Sequence, residues 1–334
     1  MILVTGATGL VGGNLLWYLL QQNERVTAIR RSSSDLTALT SIFRFYTIFP
    51  ENFLAKIDWI NADVMDYETM NLAMKGIKKV YHCAAQVLLG SSNSKMLDTN
   101  IIGTKNVVEA ALQNAVSKLC FVSSIAACGK AANQTIIDEN GSWNEFQNHS
   151  YYAQSKYLSE QEVWKGIQRG LNAVIVNPGV ILGVSGRHTG SSQLFYQVQK
   201  GLAFYTKGGS GYVDVRDVVQ IMIQLQESEI CSERFILVGD NCSNKDILTW
   251  MAEGFNKPRP FIGIGKNSLI FLGYLSEKLG KLFNFVPLID VGTARAALQR
   301  EYYNSKKIRK ALNFQFFSIE KCIKEVCEFQ NKIV

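Results

Sequence analysis

The chain has 334 residues, of which 47% are hydrophobic and 19% are charged. At roughly 150 residues per domain, this length predicts one large domain or two coupled ones, with enough chain for a buried core. The composition excludes a disordered chain, and no run reaches the ~18 consecutive apolar residues that predict an integral membrane segment. The net charge of +7 is a mild basic excess without a dense patch, so we expect no nucleic acid partner.

The chain has seven cysteines and three histidines. An odd cysteine count without a C-x-x-C pair predicts neither a disulfide framework nor a metal site. We therefore expect the cysteines to be packed as small apolar residues in a reducing compartment, and the protein to be cytoplasmic. Because strand-like residues begin at Met1, we expect no signal peptide.

Short β-branched runs alternate with helical patterns in the N-terminal half, which is typical of βαβ units and a parallel sheet. The strands predicted in chain order are Ile2–Thr5, Arg25–Ile29, Ile57–Asn61, Lys79–His82, Lys118–Ser123 and Ala173–Asn177. The helices predicted between them are Leu10–Gln21, Tyr67–Met74, Asn100–Asn114 and Tyr151–Arg169. A later strand, Arg234–Val238, is expected to return to the same sheet.

The remaining segments, about 179–232 and 239–334, have less regular spacing. The glycine-rich run Lys207–Gly211 is predicted to be a turn. Phe261–Leu288 is rich in Phe, Leu and Ile, and it either packs in the core, covers a cleft or lies on a membrane surface. We predict an α/β fold, in which a Rossmann-type doubly wound parallel sheet is combined with a smaller, partly interleaved C-terminal domain.

Three glycines follow the first predicted strand, at positions 6, 9 and 12. Gly6 permits a tight turn, Gly9 lets a pyrophosphate approach the backbone, and Gly12 lets the next helix pack closely. The N–H groups and dipole at the start of that helix favour negative charge. This order of elements predicts a dinucleotide site. Residues 1–177 with part of 205–240 would form the NAD(P)-binding domain, and 178–204 with 241–334 the substrate domain.

The end of the second predicted strand indicates which dinucleotide is bound. An acidic residue there marks NAD because it binds the ribose 2′-OH, whereas a nearby Arg accommodates the 2′-phosphate of NADP. Here Arg30 and Arg31 are followed by three serines, and no carboxylate stands at the strand end. NADP is therefore the predicted cofactor. Asp35, a few residues later, keeps NAD open as the alternative.

Tyr152 and Lys156 are four residues apart in the longest predicted helix, so they share one face. A nearby ammonium favours tyrosinate, which predicts a lowered phenol pKa and a usable proton donor or acceptor. Tyr151 has no Lys four residues later and is expected to point elsewhere. Taken alone, this spacing also fits an ordinary surface pair.

Two hydroxyls, Ser123 and Ser124, follow the strand predicted at Lys118–Ser123. Ligands of open α/β sheets bind outside the carboxyl ends of the strands. A serine hydroxyl at that edge can hold a substrate oxygen beside the tyrosine phenol. A helix cap or a turn explains a serine pair equally well.

Taken together, these motifs resemble the extended short-chain dehydrogenase/reductases, in the dihydroflavonol-reductase-like and 3β-hydroxysteroid-dehydrogenase-like branch of the NAD-dependent epimerase/dehydratase superfamily. The resemblance covers nearly the whole chain. It is carried by Thr5-Gly6-Ala7-Thr8-Gly9-Leu10-Val11-Gly12, Ala62-Asp63-Val64, His82-Cys83-Ala84-Ala85, Asn100-Ile101-Ile102-Gly103-Thr104, Val122-Ser123-Ser124, Tyr152 to Lys156, Asn177-Pro178-Gly179 and Tyr212-Val213-Asp214-Val215-Arg216-Asp217-Val218.

The resemblance implies roles for individual residues. Tyr152 would be the catalytic acid/base, Lys156 would bind the nicotinamide ribose and lower the tyrosine pKa, and Ser124 rather than Ser123 would be the catalytic serine. His82 would be a packed strand-end residue rather than a base, and Asp214 and Asp217 a structural pair near a helix start. The residues expected to bind the cofactor are Gly6, Thr8, Gly9, Leu10, Val11, Gly12, Arg30, Arg31, Asp63, Val64, Ala84, Ala85, Asn100, Tyr152, Lys156, Pro178 and Val180.

The resemblance also implies the reaction, which is hydride transfer between the nicotinamide and a carbonyl, or the reverse oxidation of an alcohol. Two alternatives stay open: a nucleotide-sugar epimerase of the same family and a non-catalytic NADP-binding regulator. Dehydratases usually carry an acidic residue beside the serine, and Ile125 and Ala126 stand there instead.

The substrate is expected to be an apolar or aromatic small molecule, and a homodimer is left open. The segments expected to line the pocket are Ala126–Asn133, Val180–Thr206 and Phe261–Leu288, which supply Arg187, His188, Phe195, Tyr196, Phe204 and Tyr205.

Overall fold

The computed structural model describes residues 1–22, 24–87, 94–130, 135–144, 149–186, 190–283, 294 and 297–333. The strands are β1 (Ile2–Thr5), β2 (Val26–Arg30), β3 (Asp58–Asn61), β4 (Lys79–His82), β5 (Lys118–Val122), β6 (Ile136–Ile137), β7 (Ala173–Pro178), β8 (Val180–Leu182), β9 (Phe204–Thr206), β10 (Gly209–Asp214), β11 (Glu233–Leu237), β12 (Asp240–Ser243), β13 (Ile262–Ile264) and β14 (Tyr302–Tyr303). The helices are α1 (Leu10–Gln21), α2 (Thr37–Tyr46), α3 (Glu51–Leu54), α4 (Tyr67–Ala73), α5 (Ser94–Gln113), α6 (Tyr151–Gln168), α7 (Ser192–Gln199), α8 (Val215–Glu227), α9 (Asn244–Gly254), α10 (Lys266–Phe283), α11 (Lys306–Leu312) and α12 (Ile319–Ile333).

Seven strands form one parallel sheet in the order β11-β7-β5-β4-β1-β2-β3. The order reverses between β1 and β4, which is where doubly wound sheets bind their ligands. The predicted α/β fold with a Rossmann-like parallel sheet is therefore confirmed. β11 pairs with β7, so the prediction that this late strand returns to the sheet is also confirmed.

Alternating side chains of the strands fill two separate cores, one on each face of the sheet. Ile2 and Val4 of β1 pack with α1, α2 and α8, whereas Leu3 between them packs with α4, α5 and α6. The same alternation holds in β5, where Cys120 faces the first core and Phe121 the second. Burial on both faces explains why these strands are apolar without interruption.

The sequence patterns missed two short helices between β2 and β3. Within α2, four apolar residues at helical spacing are buried, namely Ala38, Leu39, Ile42 and Phe43, and the last three belong to the first core. The turn predicted at Lys207–Gly211 is wrong for its second half, because β10 begins at Gly209. A Cβ on Gly211 would lie 2.6 Å from Val238 Cγ2, so this glycine allows close packing rather than a turn.

A third core cluster lies under α7, α9, α12 and the three-stranded sheet β12-β10-β8. The division into a nucleotide domain and a substrate domain stays a prediction.

Asp214 is the N-cap of α8 and binds Arg216, and Asp217 in the first turn accepts a hydrogen bond from the Phe317 N–H group. Burial raises the pKa of Asp217 to about 7.

Cys231 is exposed, so the prediction that the cysteines are packed is wrong at that position. Within the described parts of the chain, no helix has the length and apolar character needed to cross a bilayer.

Candidate active site

The predicted site residues gather at the carboxyl edge of the parallel sheet. Most of them come directly after a strand: Gly6–Gly12 after β1, Arg31 after β2, Asp63 and Val64 after β3, Ala84 and Ala85 after β4, and Ser124 after β5. Arg30 is the last residue of β2 and Pro178 the last residue of β7, and Val180 is the first residue of β8. Asn100, Tyr152 and Lys156 lie on α5 and α6. Parallel strands end at one edge of a sheet, which accounts for this convergence.

The glycine turn after β1 is held tightly against the loop after β4. Gly6 has a positive φ of 68°, and a Cβ there would lie 2.6 Å from the Ala84 nitrogen. A Cβ on Gly12 would lie 2.3 Å from the Gly6 oxygen, so the start of α1 packs directly on the turn. The N-cap Gly9 is exposed and makes no side-chain cap, and the first turn of α1 carries no acidic residue. This helix end therefore fits an anionic pyrophosphate.

Two cationic side chains stand at the end of β2. Arg30 is half-buried, with its guanidinium 5.4 Å from the centre of the Trp59 ring, and Arg31 is exposed. Asp35 accepts hydrogen bonds from the Thr37 backbone N–H (2.8 Å) and hydroxyl (2.6 Å), so its carboxylate is used to start α2. The edge near the predicted adenosine ribose thus presents positive charge.

The loop after β4 is tied to both α5 and α6 by Asn100. Its amide oxygen accepts from the Gln86 N–H at 2.8 Å, and its amide nitrogen donates to the Gln86 carbonyl at 3.1 Å and to Ser155 Oγ at 3.0 Å. Asn100 therefore fixes the residue next to Lys156 rather than the lysine itself. The loop after β3 is fixed separately, because Asp63 Oδ1 accepts from the Met65 N–H at 3.0 Å.

The Tyr152 phenol and the Ser124 hydroxyl face each other at the edge of the sheet, close enough for the serine to lower the phenol pKa. Ser124 Oγ accepts from the Ala126 N–H at 3.1 Å, which leaves its own proton to donate to the phenol oxygen. Ser124 lowers the pKa of Tyr152, but burial raises it more. The predicted lowering of the phenol pKa is therefore wrong in this structure, because desolvation outweighs the stabilisation of tyrosinate. Tyr151 is exposed and faces away, as predicted.

Lys156 lies one turn after Tyr152 and is buried. Its ammonium donates to the Val122 carbonyl oxygen at 2.9 Å and stands 5.6 Å from the centre of the Phe121 ring. Burial lowers the pKa of Lys156 to about 8, while Cys83 and Glu160 raise it. In the described part of the chain, Val122 is the one hydrogen-bond acceptor of this ammonium, so two N–H donors are available to a ligand.

A buried carboxylate that the sequence patterns did not single out lies beneath the serine pair. Glu160 is 1% exposed and stands one turn after Lys156 on α6. One of its oxygens accepts from Ser123 Oγ at 2.8 Å and Asn177 Nδ2 at 2.9 Å. The other oxygen accepts from the Arg234 guanidinium at 3.2 Å and from the indole N–H of Trp164, also on α6, at 3.3 Å.

This network separates the two serines. The hydroxyl of Ser123 is turned inward to Glu160, whereas that of Ser124 reaches Tyr152. Asn177 connects Glu160 to Ser124, because its amide nitrogen donates to Glu160 and also to the Ser124 carbonyl oxygen, at 3.0 Å. Tyr152, Lys156 and Glu160 are spaced four residues apart, so they share one face of α6, and this spacing is the sequence signal that could have pointed to Glu160.

His82 at the end of β4 lies within a directed chain of hydrogen bonds. Thr5 Oγ1 accepts from the Ala84 N–H at 3.2 Å and lies 2.7 Å from His82 Nδ1. Thr104 Oγ1 donates to the Asn100 carbonyl, so it accepts from His82 Nε2 at 3.1 Å. Burial lowers the pKa of His82 to about 3, so the ring is neutral, Nε2 carries the proton, and Nδ1 accepts from the Thr5 hydroxyl. It packs at the strand end, as predicted.

The structure corrects one of the aromatic residues expected to line the substrate pocket. Phe195 is fully buried in the third core cluster, edge-on to Phe255, so it is a core residue. Tyr205 is half-buried and Phe204 is exposed on β9. Arg187 and His188, with parts of all three predicted pocket segments, lie outside the described residues.

A model of the NAD dependent epimerase/dehydratase family matches residues 2–237. The chain is 29% identical over 285 residues to sterol demethylase protein B of Methylococcus capsulatus, across 84% of this chain and 82% of that protein. It is 27% identical over 337 residues to a Synechocystis protein named for dihydroflavonol 4-reductase, and the match covers 98% of this chain and 94% of that protein. The crystal structure of gox2253 has a TM-score of 0.82 and 26% identity, and the match covers 100% of this chain and 98% of that one. The chain belongs to the NAD dependent epimerase/dehydratase family, within the extended short-chain dehydrogenase/reductases.

Proposed function

We propose that this protein is an NADP(H)-dependent oxidoreductase, which reduces a carbonyl of an apolar or aromatic small molecule to an alcohol or catalyses the reverse. The observation that carries the proposal is the placement of the Ser124 hydroxyl beside the Tyr152 phenol, with buried Lys156 one turn away. This arrangement stands at the carboxyl edge of the sheet, beside the reversal of strand order at β1 and β4.

The glycine turn and the start of α1 fit a dinucleotide. Lys156 would bind ribose hydroxyls with its two available donors, and the backbone after Pro178 would meet the nicotinamide amide. When bound, the dinucleotide would supply or accept the hydride. Arg30 and Arg31 support NADP over NAD, because their positive charge suits a 2′-phosphate and Asp35 is engaged with Thr37.

Ser124 and Tyr152 would hold the carbonyl oxygen with two hydrogen bonds. As negative charge develops on that oxygen, Tyr152 would give it the phenol proton, so carbon gains a hydride and oxygen a proton. The phenol of Tyr152 is protonated at neutral pH, because burial raises its pKa above the ordinary value of about 10, so a proton is present for donation to the carbonyl oxygen. The Glu160 carboxylate would keep Ser124 in place through Asn177, whose amide nitrogen donates to both residues.

The relatives named for a sterol demethylase and a dihydroflavonol reductase support an apolar or aromatic substrate. We extend the proposal to a nucleotide domain over 1–177 with part of 205–240, a substrate domain over the remainder, and a cytoplasmic location.

Two assays test the proposal: NADPH oxidation with apolar ketones and aldehydes, and chromatographic detection of the epimerised product with a set of sugar nucleotides, because epimerisation consumes no NADPH. We expect turnover of the former, and turnover of sugar nucleotides alone would favour the epimerase alternative. No turnover of either set, with NADPH bound, would favour a non-catalytic regulator.

Two neighbouring pairs supply matched controls for the active residues. Tyr152→Phe should abolish turnover and keep cofactor binding, whereas Tyr151→Phe should leave turnover unchanged because Tyr151 is exposed. Ser124→Ala should reduce turnover more than Ser123→Ala. The opposite order would assign the catalytic serine to Ser123.

A further inference from the structure

The outer face of α10 is apolar, although it points away from the protein. Between Lys266 and Ser276, the buried positions of this helix are Leu269 and Gly273, which are four residues apart and so form one stripe. Phe271 and Leu275 stand about 200° around the helix from that stripe and are 66% and 42% exposed. Leu272 and Tyr274 beside them are 45% and 54% exposed. We call these four residues the outer face.

The segment before the helix adds to this surface. Phe261 is 73% and Ile262 40% exposed, and Ile262 pairs with Phe204 of β9, which is itself 47% exposed. Only Gly265 separates β13 from α10, so these side chains lie near the beginning of the helix. Single exposed apolar residues are common, but a concentration of this kind marks an interaction surface.

The same stretch holds most of the excess positive charge of the chain. Residues 257–283 carry five Lys and Arg against one Glu, a net charge of +4 out of the total of +7. Lys266 and Lys278 are exposed at the two ends of the stretch that carries the outer face, and the Lys278 ammonium stands 4.9 Å from the centre of the Tyr274 ring. Arg259 is paired with Glu253.

Aromatic and aliphatic side chains bordered by lysines match the chemistry of an anionic lipid surface. Apolar side chains enter the boundary between headgroups and acyl chains, while lysines bind the acidic headgroups. A protein partner fits less well, because lysine is depleted at protein interfaces. The charges along α10 agree with a helix lying in the plane of the bilayer, and the helix is not one that could cross it.

We propose that the outer face of α10, together with Phe261 and Ile262, docks this protein on the surface of an anionic membrane. The proposal is independent of the reaction at the sheet edge. It gives a role to basic residues of α10 that the cofactor site does not use.

Co-sedimentation of the whole protein with vesicles tests the proposal. The vesicles contain phosphatidylcholine alone or with about 30% phosphatidylserine, at about 0.1 M salt. We expect binding to the anionic vesicles, weaker binding to the neutral ones, and weakened binding at about 0.5 M salt. The double variant Phe271→Glu with Leu275→Glu should bind anionic vesicles at least about tenfold less, since two charges would replace the side chains that enter the bilayer.

A matched control replaces two exposed apolar residues that are far from α10 in the sequence, Ile48→Glu with Phe49→Glu. This variant should bind anionic vesicles like the unchanged protein. Circular dichroism and sedimentation velocity accompany each variant. The proposal is overturned if the unchanged protein does not bind anionic vesicles, or if the Phe271 and Leu275 variant binds as well as the control while folded. Self-association that is lost in that variant, without vesicle binding, would assign the outer face to a second copy of the chain.

Discussion

Replacing the buried Glu160 by glutamine should destabilise the protein strongly while changing almost no volume. The carboxylate accepts from four donors, two at each oxygen, and a glutamine amide can accept at one end only. Its NH₂ end would face two donors, and Arg234 would lose its counter-charge. Ser123 can rotate to accept, but Asn177 or Arg234 remains unsatisfied. Breaking a buried ion pair in this way costs about 3 to 5 kcal/mol.

Urea unfolding of the cofactor-free protein measures this loss, followed by both tryptophan fluorescence and circular dichroism. The matched control is Glu109→Gln, which breaks the exposed pair with Arg169 and should cost under about 1 kcal/mol. The reasoning is refuted if Glu160→Gln and Glu109→Gln lower the free energy of unfolding by the same small amount.

A double-mutant cycle of Glu160→Gln with Arg234→Gln separates the pair from its surroundings. Arg234 also donates to the carbonyl oxygens of Glu139 and Gly141, so its own replacement carries a separate cost. We expect a coupling free energy of at least about 1 kcal/mol between the two changes, and additivity would mean that the ion pair contributes nothing.

Three further predictions concern charge. NADPH should raise the melting temperature more than NADH does, and Arg30→Ala with Arg31→Ala should remove this difference; equal stabilisation of the unchanged protein would refute the assignment of the 2′-phosphate. Because the pKa of Lys156 is lowered to about 8, its charge is lost above that pH, so NADPH affinity measured by fluorescence titration should fall above pH 8, and an unchanged affinity at pH 9 would exclude an ammonium contact. The raised pKa of Asp217 means that the folded protein holds a proton that the unfolded chain loses from about pH 4, so the free energy of unfolding should fall between pH 4 and 7. This fall, at most about 4 kcal/mol, should be smaller in Asp217→Asn, and a pH dependence identical in both proteins would show that Asp217 titrates normally.

Local patterns predicted the elements that position the cofactor site. The bounds of β1, α1 and β4 agree with the sequence, because each strand has a short β-branched or aromatic centre and the helix has apolar residues at helical spacing. The glycine turn and the pair of Tyr152 and Lys156 were visible because their roles depend on short spacings. The exposure of Tyr151 followed from the same helical geometry.

What the sequence could not provide depends on contacts between distant segments. Glu160 and Arg234 are 74 residues apart, and no local pattern connects them. The pKa of Tyr152 depends on the balance between burial and the nearby Ser124 hydroxyl, which spacing alone does not give. Gly211 resembles a turn residue in sequence, whereas its role is the close approach of Val238.

The position of β11 has a consequence for how the protein is made. The ribosome completes β7 and Glu160 before it adds residues 179–232, which take roughly 3 to 11 s at about 5–20 residues per second. During that interval the apolar strand β7 is an open edge and Glu160 lacks its partner Arg234, so the emerging chain is exposed to edge-to-edge aggregation. Any shortened version that ends before Glu233 would keep this open edge permanently. Expression of the nucleotide-binding half on its own therefore requires β11 to be supplied with it.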